Sequence, residues 1–136
     1  MPLVSKILKR PPITIDKSRT ILESAKMLSQ NSVGILVVVD QARPERPMAV
    51  VSERDIIRAV ASGLPLTENV MKIASVKLVT VNVDDQLEKA ALLMAANRIR
   101  HLVVLDEVGN LAGVISIRDI LAERNMLTSM VKSYFS

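Results

Sequence analysis

Apolar positions follow two alternating patterns along this chain, and the alternation is run through twice. Val33-Gly34-Ile35-Leu36-Val37-Val38-Val39 is β-branched, unalternating and short, which suits a strand buried on both faces. Before it, Ile21, Ala25 and Leu28 are spaced for one face of a helix, with Asp16 or Ser18 placed to cap it. Ile13-Thr14-Ile15 reads as a brief strand, and Pro11-Pro12 bars regular helix in the lead-in from Lys6. After the buried strand, Asp40 to Pro47 holds two prolines and four charges and predicts a loop. Met48 to Val51 then predicts a strand, and Glu53 to Ser62 a helix closed by Gly63.

The same order returns downstream. Thr14 falls on Thr80, Asn31 on Asn97, Leu36-Val37-Val38 on Leu102-Val103-Val104 and Asp40 on Asp106, an offset of 66. Past the loop the offset is 64, with Ser52 on Ser116, Arg54 on Arg118 and Asp55 on Asp119. The second loop, Glu107-Val108-Gly109-Asn110, is two residues shorter. The chain is therefore α/β (α+β), with β-α-β-β-α run twice: residues 1–66 with the lead-in, then 67–136 with a C-terminal helix or tail from Asn125. Pro65 to Ala74 joins the copies, with Thr67 as cap of a short helix through Met71. Each copy is near the lower limit for folding alone, so the two are expected to pack as a pseudo-symmetric pair through their sheets.

Composition narrows the class. The chain is 49% hydrophobic but 1% aromatic, so Val, Ile, Leu, Met and Ala build its core. No apolar run approaches the roughly 18 residues of a membrane span, and the start has no signal-peptide pattern. With no cysteine there is no disulfide framework or thiol nucleophile, which points to a cytoplasmic setting. A mean hydropathy of +0.31 hints that a partner covers some apolar surface. Ala90 to Ala96 is apolar all round its helix, which means either full burial or a partner on one face; with Ile56-Ile57 and Ile120-Leu121 it predicts a homodimer, with Leu93 in the interface or in the core. The net charge of +4 sits in residues 1–66, which admits nucleic acid as an alternative partner, although no aromatics are interleaved for base stacking.

The chemistry lies in the paired stretches Ala49-Val50-Val51-Ser52-Glu53-Arg54-Asp55 and Gly113-Val114-Ile115-Ser116-Ile117-Arg118-Asp119. Each is a buried strand ending at a serine that caps a helix. Free amides at such a helix start favour an anion, and Ser-x-x-Asp can equally be a capping box and nothing more. Asp84-Asp85 reads as a cap rather than a carboxylate pair. His101, the single histidine, is flanked by Arg98 and Arg100 and reads as a phosphate contact; it lacks the companions a metal site needs. Neither serine has a triad partner and no phosphate loop is present, so no catalytic residue is assigned.

Arg100-His101-Leu102-Val103-Val104-Leu105-Asp106, Gly113 to Asp119 and their first-copy counterparts resemble a tandem pair of cystathionine-beta-synthase (CBS) domains, the Bateman module, from about Val4 to Arg124. Ala49, where that family usually has glycine, departs from the pattern. The resemblance implies a non-catalytic regulatory module binding AMP, ADP, ATP or S-adenosylmethionine as regulatory ligand rather than cofactor, with a possible regulated protein partner. It implies two clefts, one using Val114, Ser116, Arg118, Asp119 and His101 with Ile13, Val33, Gly34 and Ile35. The other would use Val50, Ser52, Arg54 and Asp55 with Val79, Ile99 and Arg100. The Asp119 cleft is expected to bind better, since its floor has Gly34 where the other has Arg100, it keeps Gly113 where the other has Ala49, and it draws on His101 where the other has Ile35. A pure interaction subunit with vestigial clefts is the remaining alternative.

Overall fold

The computed structural model describes residues 2–8, 10–123, Thr128, Val131, Lys132 and Tyr134. The chain divides into two compact units, Pro12–Leu78 (the first unit) and Met1–Pro11 with Val79–Ser136 (the second). The first holds β1 (Thr14–Asp16), α1 (Ile21–Asn31), β2 (Ile35–Asp40), β3 (Arg43–Ser52) and α2 (Glu53–Ala61). The second holds β4 (Thr80–Asn82), α3 (Leu87–Asn97), β5 (His101–Leu105), β6 (Leu111–Ser116) and α4 (Ile117–Ala122). Each sheet has three strands, ordered β1-β2-β3 and β4-β5-β6. The first pair of each sheet is parallel and the second antiparallel.

The unalternating apolar runs take the central place in their sheets. Leu36, Val37, Val38 and Val39 are all buried, as are Leu102, Val103 and Val104, because a central strand turns neither pleat face to water. Both first helices end in a left-handed residue, Ser32 and Arg98, whose amides close the last turn. α2 ends as expected at Gly63, whose φ of +75° suits a residue without Cβ.

Several local expectations are corrected. α1 is capped by Thr20, not by Asp16 or Ser18, in a capping box with Glu23. The Asp16 carboxylate instead accepts from Ser18 and from the Gln41 amide at 2.7 Å, tying the end of β1 to the β2–β3 turn. Asn69, not Thr67, caps a 3-10 turn at Val70–Lys72. Asp84 and Asp85 do not cap α3, which starts at Gln86 without a side-chain cap; Asp85 accepts from the Asn82 amide. The proline-rich stretch after Asp40 is not loop but the outer part of β3, where Asp40 pairs with Arg43 and Val39 with Pro47 across a bulge. Prolines are tolerated there because β3 is an edge strand, whose outward amides pair with nothing in the sheet. The helix or tail expected from Asn125 lies outside the described residues, apart from the helical Thr128, Val131, Lys132 and Tyr134.

The units also differ from the expected partition at residue 66, because the segment leading into each repeat packs with the sheet of the other. In the second unit Val4 donates to the Asp85 carbonyl at 2.8 Å and Leu87 to Pro2 at 3.0 Å. In the first, Val70 donates to Arg19 at 2.9 Å, and Val50 and Ser75 exchange both backbone bonds. Val4 and Val70 are both fully buried, one in each core.

Candidate functional site

Strand register brings the predicted residues of each unit to one end of its sheet. In the first unit Ile35, opening β2, pairs with Ser52, closing β3. The Ile13 carbonyl accepts from Val37 at 3.1 Å, placing the lead-in to β1 at the same end. Val33 and Gly34 form the approach to β2, and the Gly34 carbonyl accepts the Glu53 amide at 3.0 Å. Val50, Ser52 and Asp55 are half-buried there and Arg54 is exposed.

The second unit repeats this. His101 pairs with Ser116, Val79 accepts from Val103 at 3.3 Å, and the Arg100 carbonyl accepts the Ile117 amide at 2.8 Å. Ile99 and Val114 are half-buried beside them, while Arg100, Arg118 and Asp119 are exposed. Eight of the predicted residues thus gather in each unit, whereas each predicted cleft draws on both; Arg100, assigned with Asp55, lies in the unit of Asp119. His101 shares the sheet end of Ser116 and Asp119.

The capping boxes are real. Asp55 donates its amide to Ser52 Oγ at 3.3 Å and accepts the Ser52 amide at Oδ2 at 2.8 Å. Asp119 and Ser116 do the same at 3.2 and 2.8 Å. In the first unit the Ser52 hydroxyl also donates to Asp55 Oδ2, at 3.0 Å.

Two consequences follow for ligand chemistry. The helix starts are not the open amide clusters expected: the cap, first and third amides are bonded, leaving only those of Arg54 and Arg118 without a partner among the described residues. Phosphate charge would therefore be met mainly by side chains. Conversely, each box uses only Oδ2, so Oδ1 of Asp55 and of Asp119 keeps its lone pairs among the described residues. A carboxylate held rigidly by one oxygen and open at the other is an acceptor for a hydroxyl pair. The capping boxes formed by Ser-x-x-Asp therefore leave room for the ligand reading of the same residues.

Gly113 also meets the N-terminal segment: a Cβ at this position would lie 2.7 Å from Leu8 Cδ2, so the missing side chain leaves room for the end of the Leu8 side chain. The sequence held a signal for this, since Leu8 and Gly113 are large and absent where their equivalents Ala74 and Ala49 are both small. A hollow of about 350 Å³ in the second unit lies at the opposite end of the sheet, lined by Asn82, Asp85, Lys89 and Asp106 among others. Its polar groups bond to one another, Asp85 to Lys89 at 3.3 Å and Asp106 to the Val108 and Asn110 amides, so it is a built turn rather than a site.

Comparison with known proteins agrees with this geometry. The profile of the CBS domain family matches residues 4–62 and 70–125. A CBS domain protein from Pyrobaculum aerophilum complexed with AMP is 44% identical, with a TM-score of 0.91 over 96% of this chain and 99% of that one. The CBS domain pair of protein MJ0100, in complex with 5′-methylthioadenosine and S-adenosyl-L-methionine, is 26% identical with a TM-score of 0.80, over 88% of this chain and 93% of that one. The CBS domain-containing protein YhcV of Bacillus subtilis is 33% identical over 79% of this chain and 74% of its own length. Across the first curated relatives the chain spans 66% to 74% of their lengths. Among the described residues no helix is long and apolar enough to cross a membrane. Two β-α-β-β-α repeats, each closing on a Ser-x-x-Asp capping box and each matched by the family profile, make this chain a member of the CBS domain family.

Proposed function

We propose that this chain is a regulatory sensor module that binds adenosine-containing ligands at its Ser52–Asp55 and Ser116–Asp119 ends without turning them over. The observation that carries this reading is the open Oδ1 of each aspartate, fixed by a capping box beside apolar side chains. A vicinal diol has two hydroxyl donors for such a carboxylate, and Ile13, Val33, Ile35 and Val50 or Val79, Ile99 and Val114 offer flat apolar surface for a purine. The ligands of the two similar structures share adenosine and not phosphate. That fits ends whose rigid element accepts a diol and whose cations are exposed side chains. Thermal shift with AMP, ADP, ATP, 5′-methylthioadenosine and S-adenosylmethionine tests the reading. At a hundredfold excess over Kd a bound ligand adds about 2.7 kcal/mol, a shift of several degrees. A flat response to all five at millimolar concentration refutes it, and ADP or AMP appearing from ATP with pure protein refutes the non-catalytic half.

The same module is proposed to pair with a second copy. Leu92 is 70% exposed and Ile57 67%, an unusual outlay of apolar surface on regular helices. Of the two leucines in the middle of α3, Leu93 packs against the core of the second unit and Leu92 faces outward. Leu92→Glu should halve the mass seen by light scattering and keep the helical signal. A monomeric mass for the parent protein at micromolar concentration refutes the pairing.

A further inference from the structure

The segment Pro2–Leu8 grips the second unit at both ends of the stretch from Gly113 to Asp119. Its Val4 and Ile7 are 0% and 7% exposed, buried in one hydrophobic cluster with Ile115 and Ile120, and Leu8 and Ile117 pack against that cluster. Those three isoleucines are interleaved with Ser116, Arg118 and Asp119. Upstream of them, Leu8 lies where a Gly113 side chain would be. Downstream, Lys6 Nζ reaches Glu123 Oε1 at 3.4 Å, at the residue capping the C-terminus of α4. The helix between has only six residues, too few to persist without packing.

We propose that this segment is a strap linked to ligand occupancy at Asp119: both stabilise the same short helix, so the ligand tightens the strap and a seated strap raises the affinity. The inference rests on the reading of the Asp119 end as an adenosine site. Linkage makes the two effects equal in factor. It also makes Gly113 a probe of the strap, since a methyl group there would force the Leu8 side chain to shift from its seat while leaving Ser116, Arg118 and Asp119 intact. The first unit shows the alternative solution, with Ala74 and Ala49 at the equivalent positions.

The test uses the full chain carrying Asp55→Ala, so that calorimetry with AMP reads the Asp119 end alone. Gly113→Ala should weaken AMP about fivefold or more. Adding Leu8→Ala, which recreates the small pair of the first unit, should restore the affinity. Hydrogen exchange gives the reciprocal reading: saturating AMP should slow the Val4 and Ser5 amides, which donate to the Asp85 and Val83 carbonyls at 2.8 and 3.0 Å. A Gly113→Ala loss that Leu8→Ala does not restore means the ligand itself needs the glycine, and overturns the proposal. So does AMP binding with no change at Val4 and Ser5. If no adenosine compound binds, the site reading fails separately, and the strap is read without ligand. Gly113→Ala should then speed exchange at Asp119 and Ile120 but not at Asp55 and Ile56, and equal protection at α4 overturns the link.

Discussion

The two units run the same β-α-β-β-α course, yet they are held and charged differently at corresponding points. At the start of the first helix, the first unit has the Thr20–Glu23 capping box where the second has Gln86 with no side-chain cap. At the end of the first strand, the first has Asp16, bonded to Ser18 and Gln41, where the second has Asn82. At the end proposed to take ligand the first unit brings Glu53, Arg54 and Asp55, while the second has Ile117 in place of the glutamate and adds exposed Arg98 and Arg100 to Arg118. The buried strands, by contrast, are nearly interchangeable. Shared apolar positions therefore set the topology of both units, and the unshared polar ones decide how firmly each is closed and what it attracts.

The largest effect should come from breaking that comparison at the aspartates. A lost hydrogen bond to a charged group costs roughly 1.5–3 kcal/mol, so Asp119→Ala should weaken the tightest AMP binding event by tens-fold. Asp55→Ala should leave that event nearly intact, because an anionic nucleotide is drawn to the more cationic end. The preference for AMP over 5′-methylthioadenosine at Asp119 should also shrink as salt rises from 0.05 to about 0.5 M, as screening of exposed arginines requires. Calorimetry on the two single variants decides it. If Asp55→Ala removes the tight event, the half-buried aspartate outweighs the extra arginines.

What was legible in the sequence follows the same line. The paired runs Leu36–Val38 and Leu102–Val104 announced central strands because burial on both faces leaves no polar alternation. The repeated Ser-x-x-Asp announced two capped helices, and both formed. The cap of α1 was legible and missed, since Thr20 and Glu23 make the Thr-x-x-Glu pattern of a capping box. The outer part of β3 was not legible, because Pro44 and Pro47 argue against a strand unless one knows it lies at a sheet edge. The exchange of lead-in segments left one trace, Leu8 and Gly113 against Ala74 and Ala49, and was otherwise hidden because it depends on contacts between residues so distant in sequence. The Oδ1 left open by each box could not be foreseen either, because Ser-x-x-Asp does not say which oxygens the cap will use.

The next effect down tests the missing cap. Thr20→Ala should cost about 1 kcal/mol, while Gln86→Asp should add a similar amount by giving the second unit the cap it lacks. The Gln86 backbone is already extended, at φ −75° and ψ 148°, so a capping side chain needs no rearrangement. Denaturant melts of the two variants should move in opposite directions. A Gln86→Asp protein no more stable than the parent would mean that Pro2, whose carbonyl accepts the Leu87 amide at 3.0 Å, already does the work of the cap.

The smallest effect concerns acid. Hydrogen bonds from the Ser18 hydroxyl and amide, and then from Gln41, hold the Asp16 carboxyl below the usual carboxylate range. The bond and charge of Lys17, 2.8 Å away, do the same for Asp40. A carboxyl whose folded pKa is lowered contributes stability above its unfolded pKa and loses it as pH falls through the folded one. The loss should therefore begin near the ordinary carboxylate range, at about pH 4, and grow below it. Both groups are open to solvent, so the effect is small. Asp16→Asn gives the first unit the residue the second carries as Asn82 and removes one titrating group. Its melting temperature should fall less steeply between pH 5 and about 3 than that of the parent, with the two curves converging at the acid end. Parallel curves would mean that the Asp16 staple holds the turn between β2 and β3 equally well when protonated.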